Sequence, residues 1–377
     1  MKVIHVITAL NQGGAEAMLE KLVLTGRRLN PEIEQLVINL GEPGVVGNRL
    51  GGAGVVVKSL GMSLSLRSVR KLFALARWLR SGPAVAVVQT WLWHADLIGG
   101  LCARAVGNRR VVWNLRNSMP RHAATKPASR AIALLCGRLS RWLPARIVCN
   151  SSAALQAHVA IGYCAEKCLV IPNGFDLRLF VASAGARSEL RARWGAGADQ
   201  AVIGMVARVD PLKDHATFIR AAARVAVRVP RARFVLVGEG VARDPSIRAL
   251  LAETELAAQF ILEERRDDVQ RVMSALDVFC LASRSEGFPN VLGEAMACAT
   301  PAVATDVGDV RDILGDGRLV APAGDPESLA NCLCYVLELG EEGRRTLGLK
   351  QRCEVEKRFD IERVWIRYRD LYRSILV

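Results

Sequence analysis

The chain has 377 residues, 51% apolar and only 5% aromatic, too long for one ordinary core and suited to two domains of common size. Its formal charge of +14 is uneven: residues 1–180 hold 23 Lys and Arg against 8 Asp and Glu, and the remainder holds 28 against 29. No apolar run reaches the ~18 residues of a membrane span, and the ten cysteines form neither C-x-x-C nor a zinc-like spacing with histidine.

The chain opens on K-V-I-H-V-I, which reads directly as a strand, so no secretory leader is expected. The thiols are then those of a reduced, cytoplasmic protein. A basic half can meet nucleic acid, an anionic membrane or a phosphorylated substrate. Here the cations are spread through helices rather than gathered in a tail. That favours a membrane surface or a pyrophosphate-linked substrate over nucleic acid, with a solvated face as the plain alternative.

Residues 2–8 read as a buried strand, followed by T-A-L-N-Q-G-G-A-E and a helix to about Leu29. This is the Rossmann order without the G-x-G-x-x-G spacing. Gly13 and Gly14 either only make the turn or let backbone approach a phosphate. Glu16, in the first helical turn, needs no role beyond the helix dipole. Residues 33–40 form a second strand, 41–54 are glycine-rich and loop-like, and V-V-V-K-S-L is a short strand. Residues 66–80 carry apolar groups at helical spacing among Arg67, Arg70, Lys71, Arg77 and Arg80. After Pro83 the strand A-V-A-V-V-Q passes through T-W-L-W-H-A-D into a helix. His94 and Asp96 are thereby expected as a polar pair near a carboxyl-terminal strand edge, while His5 belongs to the core. Residues 111–115 form a strand ending in Arg116, Asn117 and Ser118.

Residues 121–143 are basic and amphipathic. A helix from about Ala128 lies either on a membrane, with Trp142 at its edge, or on the sheet. A strand at 146–150, a helix starting at S-S-A-A-L and the segment K-C-L-V-I-P-N-G-F-D complete the first domain. Pro172, Asn173 and Gly174 make a sharp turn, and the hinge is expected between Gly174 and Gly185. The second domain repeats the grammar. A helix at 187–194 precedes the strand A-V-I-G-M-V, and A-R-V-D-P-L-K-D leads into the next helix, with His215 as scaffold. R-F-V-L-V-G-E-G is strand and glycine turn, 246–257 a helix, F-I-L-E a strand and V-Q-R-V-M-S-A-L a helix. P-A-V-A-T, a short strand within 315–322, and helices at 326–339 and 361–374 end the chain.

The stretch S-R-S-E-G-F-P-N-V-L-G-E-A-M-A, 283–297, follows the strand D-V-F-C-L-A and opens a helix. Glu286 and Glu294 bracket the turn of Gly287, Phe288, Pro289 and Asn290. Such a turn lies beyond a strand's carboxyl end, the side on which open α/β sheets bind ligands. Arg208 also follows a buried strand, and Lys213, five residues on, can share one anion with it. Each has a plainer reading: Arg208 pairs with Asp210 or Asp214, Lys213 is a solvated helix start, and the two glutamates cap their turn and helix.

With N-Q-G-G-A-E at 11–16, A-R-V-D-P-L-K-D-H at 207–215, L-V-G-E-G at 236–240 and S-E-G-F-P-N-V-L-G-E-A-M-A at 285–297, the chain resembles glycosyltransferases of family 4. The resemblance covers nearly the whole chain and is closest to branches that build bacterial surface polysaccharides. It implies the GT-B fold: two Rossmann-like α/β domains, 1–177 and 178–360, facing across a deep cleft. The first would bind the acceptor, the second the nucleotide sugar, and a helix at 361–377 would return toward the first. It further implies transfer of a hexose or N-acetylhexosamine, with retention, from a UDP-linked donor to a saccharide or polyprenyl-diphosphate-linked saccharide. Such an enzyme would be cytoplasmic or peripheral on the inner membrane face.

Carried over residue by residue, Arg208 and Lys213 match the pair on the donor diphosphate, Glu286 the carboxylate at the transferred sugar, and Glu294 the one on the ribose. Gly287, Phe288, Asn290 and Val291 match amides lining sugar and phosphates, and Gly13 and Gly14 the loop over the phosphates. His94 is the expected acceptor or sugar contact. Arg116 stands where relatives often carry a catalytic histidine, and it holds a phosphate, an acceptor or only solvent. Ala299 and Asp312 replace a more usual glycine and glutamate. With no D-x-D in the chain, no metal or other cofactor is expected. The rivals are a two-domain sugar-nucleotide epimerase, which would release nucleotide without an acceptor, and a nucleic-acid-binding module, which would need stacking aromatics.

Overall fold

The computed structural model describes residues 1–62, 67–80, 86–116 and 127–376. Asn117, Ser118, the start of the fourth strand and the head of the basic 121–143 stretch lie outside them. Two compact units emerge, Met1–Gly174 with Ile361–Val377, and Phe175–Asp360.

Unit 1 is built on parallel strands β1 (Lys2–Ile7), β2 (Glu34–Asn39), β3 (Val56–Ser59), β4 (Ala86–Trp91), β5 (Val111–Leu115), β6 (Arg146–Cys149) and β7 (Cys168–Val170). Among the described residues their order is β3-β2-β1-β4-β5-β6-β7. Its helices are α1 (Gly14–Leu29), α2 (Val45–Gly52), α3 (Arg67–Arg80), α4 (Trp93–Ala105), α5 (Pro127–Leu139) and α6 (Ser152–Val159). Strands covered on both faces read as continuous apolar runs, as β1 does. Beneath one face Leu75, Ala95, Ala103 and Cys136 of α3, α4 and α5 form the core. On the other face α1 packs with the last helix, Ile361–Leu376, through Leu19, Leu22, Trp365, Tyr368 and Tyr372. That approach requires Gly26 of α1, since a Cβ there would come within 2.6 Å of the Trp365 ring.

Unit 2 has strands β8 (Val202–Val206), β9 (Arg233–Val237), β10 (Phe260–Glu263), β11 (Val278–Leu281), β12 (Ala302–Thr305) and β13 (Val320–Ala321). They are parallel and ordered β10-β9-β8-β11-β12-β13. Its helices are α7 (Ala184–Arg193), α8 (His215–Arg228), α9 (Pro245–Glu253), α10 (Val269–Ala275), α11 (Asn290–Ala297), α12 (Val310–Leu314), α13 (Pro326–Glu338) and α14 (Gly340–Arg358), so the Ile361–Leu376 helix of unit 1 is α15. One core runs through the unit.

Two elements depart from the sequence reading. The glycine-rich 41–54 stretch holds α2, because Val46, Gly47 and Leu50 share a buried face that outweighs poor helix propensity. α14 has no predicted counterpart: it is polar almost all round and buries only Gly348, Gln351 and Val355. Asp96 also departs. It is not paired with His94 but buried under α4, accepting from the Thr90 hydroxyl, and burial holds its carboxyl well above the usual range. Among the described residues, no helix is long and apolar enough to cross a membrane.

His5 and His158 are buried as neutral rings, each accepting an indole proton. Trp91 Nε1 donates to His5 Nδ1 at 3.3 Å, and Trp93 Nε1 to His158 Nε2 at 3.0 Å. Burial drives both pKa values down to about 4. The unfolded chain therefore binds these protons more readily than the folded one. Stability is full above about pH 6.5 and declines toward pH 4, by roughly 3 kcal/mol per ring. Asp96, with its raised folded pKa, works against this, losing stability as pH rises above the unfolded carboxyl value of 3.8. Asp96→Asn removes the opposing titration. Thermal unfolding of that variant is expected to show a steeper fall in Tm between pH 6.5 and 4 than the wild type, and parallel profiles would contradict it.

Candidate functional site

In unit 2 the strand order reverses between β8 and β11, neighbours in the sheet but far apart in the chain. Ligands of open α/β sheets bind at such a reversal, outside the carboxyl ends of the strands. Two loops meet there. The first, 207–214, follows β8. Asp210 shapes it, its carboxylate accepting from Leu212 N at 2.9 Å and its carbonyl from Lys213 N at 2.9 Å. Asp214 then turns left-handed, with φ +53°, and caps α8 by accepting from Thr217 N and Oγ1. The second loop, 282–289, follows β11 and opens α11. Phe288 pins it to the core, its ring near Phe175 and Phe359 at centroid distances of 6.2 and 5.6 Å.

The loops are joined at two points. Lys213 Nζ lies 2.6 Å from Glu286 Oε1, which also accepts from Ser283 Oγ at 2.7 Å. Beside this, Arg284 Nε donates to Asp214 Oδ2 at 2.7 Å, and Arg284 N to the Leu212 carbonyl at 2.8 Å. Thr305 at the end of β12 fixes Ser283 through its carbonyl at 2.6 Å. Lys213 and Glu286 are mostly covered, with 23% and 10% of their side chains exposed. Arg208 is 64% exposed and bonds Asp210 at 2.6 Å, the plainer of its two sequence readings. Asn290 and Val291 begin α11, and half-buried Glu294 follows one turn on, near the helix start where negative charge is favoured. His215 is scaffold, its Nε2 against the Ala207 carbonyl at 3.3 Å. Sequence reasoning missed Ser283, Asp214 and Arg284 as supports; only their closeness to Glu286 and Lys213 in the chain signalled them.

In unit 1 the order reverses between β1 and β4. Gly13 is the extended N-cap of α1 and Gly14 its first residue, both exposed. After β4, Leu92 sits at φ +72° and ψ 154°, a region almost reserved for glycine, costing about 1–3 kcal/mol. The strain turns the chain into α4 and sets half-buried His94 on the wall of a cavity of about 460 Å³, with Thr8, Met62, Trp93 and Ser129. Burial lowers the His94 pKa. Arg116 does not face solvent as one reading allowed. It is 8% exposed, stacks on Trp91 at 5.0 Å and donates from Nη1 to Asn173 at 2.8 Å. Among the described residues, no group of three His, Cys, Asp or Glu side chains gathers as a metal site.

Residues 13–179 match the family model described as Glycosyltransferase Family 4, and residues 200–339 the model described as Glycosyl transferases group 1. EpsF of Bacillus subtilis, named as a glycosyltransferase without sugar or acceptor, is 27% identical over 311 residues, 81% of this chain and 79% of that protein. A D-inositol 3-phosphate glycosyltransferase of Kineococcus radiotolerans is 32% identical over 222 residues, and this chain spans about half its length. Among solved structures, Anabaena HepE in complex with UDP superposes with a TM-score of 0.86 over 99% of this chain and 100% of that one, at 22% identity. The protein is an enzyme of the GT-B fold that transfers glycosyl groups. It is a glycosyltransferase related to family 4.

The first loop depends on one close approach. A Cβ on Gly238, after β9, would stand 1.9 Å from the Ala207 carbonyl oxygen and 2.9 Å from Arg208 N. Both neighbours are backbone and cannot step aside. Gly238→Ala is expected to cost about 1–3 kcal/mol in urea unfolding, the range for forced overpacking. If Arg208 meets the donor diphosphate, as expected from the sequence, the same change should weaken nucleotide binding by displacing it; unchanged values of both would remove this support.

Proposed function

We propose that the chain moves a hexose or N-acetylhexosamine from a UDP-sugar to a saccharide acceptor, retaining the anomeric configuration. The observation that carries the reading is the Lys213–Glu286 contact at the strand reversal of unit 2, which sets a cation and a hydrogen-bond acceptor side by side. HepE, described with UDP and with UDP-glucose, supports the choice of nucleotide. Unit 2 is then the donor unit and unit 1 the acceptor unit.

Lys213 and Arg208 hold the diphosphate, and the amides of Gly287, Phe288, Asn290 and Val291 line the sugar and phosphates. Glu294 takes the ribose hydroxyls, Glu286 those of the transferred sugar, Gly13 and Gly14 close over phosphate, and His94 meets the acceptor. As the bond from the anomeric carbon to phosphate oxygen breaks, negative charge grows on the departing UDP. Cations aimed at that charge lower the barrier because the interaction is stronger in the transition state. The acceptor oxygen bonds the anomeric carbon on the same face, and its proton passes to the departing phosphate oxygen. Donor arrival must re-partner both members of the Lys213–Glu286 pair, the amine to phosphate and the carboxylate to sugar hydroxyls.

Removing either partner therefore has a distinct signature. Glu286→Ala is expected to cut transfer at least ~100-fold while calorimetry shows UDP affinity within a few-fold of wild type. Lys213→Ala should weaken both. Normal turnover by Glu286→Ala overturns the assignment. UDP released at the same rate without any acceptor saccharide would favour the epimerase.

The acceptor we infer is a saccharide on a lipid diphosphate, met at an anionic membrane surface. α4 packs between α3 and α5, so the three form one face of unit 1. Over residues 43–165 the only carboxylate side chain is that of buried Asp96. Phe73 is 73% exposed and Trp142 63%, with Leu101, Leu134 and Leu135 also exposed. Arg70, Arg77, Arg130, Arg138 and Arg141 stand exposed among them. Cations near anionic lipid contribute about 1 kcal/mol each, and apolar side chains add insertion. The chain is expected to sediment with phosphatidylglycerol vesicles at low salt, not with phosphatidylcholine ones. Phe73→Glu with Trp142→Glu should abolish this; equal sedimentation with both lipids would count against it.

A further inference from the structure

Among the described residues, Arg116 is a buried cation with no counter-charge. It lies where β5 ends, among the ends of β4 and β6 and the turn after β7, marked by Trp91, Asn150 and Asn173. Its Nη1 makes one neutral bond, to Asn173 Oδ1, and Asn150 Nδ2 donates to its carbonyl. Among the described residues, Nε and Nη2 have no hydrogen-bond partner although both are covered. The groups that act on its charge are Tyr368, Tyr372 and Cys149, all uncharged in their ordinary states, and burial pulls its pKa below the usual value. Segment 117–126, which follows directly, contains no Asp or Glu in its sequence.

An unpaired buried charge costs several kcal/mol unless something compensates it, and replacing such groups by apolar ones is often neutral or stabilising. The covered Arg191 shows the paired alternative: with Asp277, at 7% and 8% side-chain exposure, it stands 2.8 Å apart. A guanidinium presents a planar fork matched to the oxygens of phosphate or carboxylate. Here half of that fork is unused: among the described residues Nε and Nη2 are covered and have no hydrogen-bond partner. Its position is the carboxyl edge of the sheet, the side on which these sheets take ligands.

We propose that Arg116 binds an anionic group, phosphate or carboxylate, carried by the acceptor. This rests on the reading of unit 1 as the acceptor unit and narrows the acceptor to one with a negative charge near the reacting hydroxyl. The Trp91 ring, 5.0 Å from the guanidinium carbon, and Asn173, which accepts from Nη1, set the side chain's orientation.

Inorganic phosphate is the probe. It is titrated calorimetrically into the full chain saturated with UDP, so that the loops carrying Arg208 and Lys213 are already filled. Melting temperatures are read with and without phosphate. Wild type is expected to bind phosphate and melt higher with it. Arg116→Met is expected to bind phosphate at least about tenfold more weakly, in line with loss of a buried charged partner. Without phosphate it should melt at the same temperature as wild type or higher. Arg116→Lys keeps the charge but not the fork, and should fall between them.

The proposal is overturned if UDP-loaded wild type takes up no phosphate, or if Arg116→Met binds it as well as wild type. It is equally overturned if Arg116→Met melts well below wild type, because the guanidinium is then a structural strut. The UDP titration reads separately on the donor. A chain that binds UDP but shows no Arg116-dependent phosphate uptake keeps the donor reading and loses this one. A chain with Arg116-dependent uptake but no UDP binding does the reverse.

Discussion

The contact between the Lys213 ammonium and the Glu286 carboxylate exists because β8 and β11 are adjacent in the sheet and far apart in sequence. Neither loop alone would hold its charged group in place. The left-handed turn at Asp214 ends the first loop and starts α8, while Arg284 reaches back from the second loop to the same carboxylate. Thr305 and Ser283 extend the support to β12. The result is a charged pair braced from both loops, with Ser283, Arg284, Asp214 and Thr305 fixing the backbone and side chains around it. On the proposed reading, the cation that meets the developing charge is already held at the strand reversal before the donor arrives.

Unit 1 follows a different logic. Its central strands carry polar side chains into the layer beneath α15, where they are answered from the far end of the chain. Asn114 donates to the Tyr368 hydroxyl at 3.1 Å, and Tyr372 donates its hydroxyl to Gln89. Trp365 Nε1 bonds Asn30 at 2.9 Å, so α15 is held by directed bonds as well as apolar burial. Half-satisfied buried networks are costly, which makes a layer this polar under one helix a constraint on what α15 can be. The apolar side chains of α15 close the core, its hydroxyls meet Asn114 and Gln89 of the strands below it, and its indole nitrogen meets Asn30 at the end of α1.

Much of this was legible in the chain itself. Parallel strands buried on both faces give unbroken apolar runs, so β1, β8 and β11 declare themselves, and the glutamates flanking a glycine–proline turn mark the loop after β11. Elements whose stability comes from elsewhere were not legible. α14 buries little and has no stripe to read, and α2 forms despite Gly47, Gly51 and Gly52 because Leu50 and Val46 find a core. Side-chain fate was harder still. His94 and Asp96, two residues apart at the start of one helix, look alike as candidates, yet one lines a cavity and the other is sealed beside Thr90. Helical geometry puts positions two apart on different faces. Only the identity of the buried face decides between them, and that is a property of the sheet.

Two covered candidate cations, Lys213 and Arg116, set the terms on which charge enters this protein. Lys213 has its counter-charge in the fold, so on the proposed reading a phosphate competes with Glu286 for it, and selectivity would follow from offering that carboxylate hydroxyl donors in return. Arg116 has none among the described residues, so an anion arriving there competes only with the cost of leaving a guanidinium unpaired. The first arrangement favours a ligand carrying both a phosphate and hydroxyls. The second rewards any suitably shaped anion, and its selectivity must come from the walls around it: the Trp91 ring, Asn150 and Asn173. The long stretch 43–165, with its single, buried carboxylate, makes that second arrangement possible, because no neighbouring acid is left in the sequence to neutralise the arginine first.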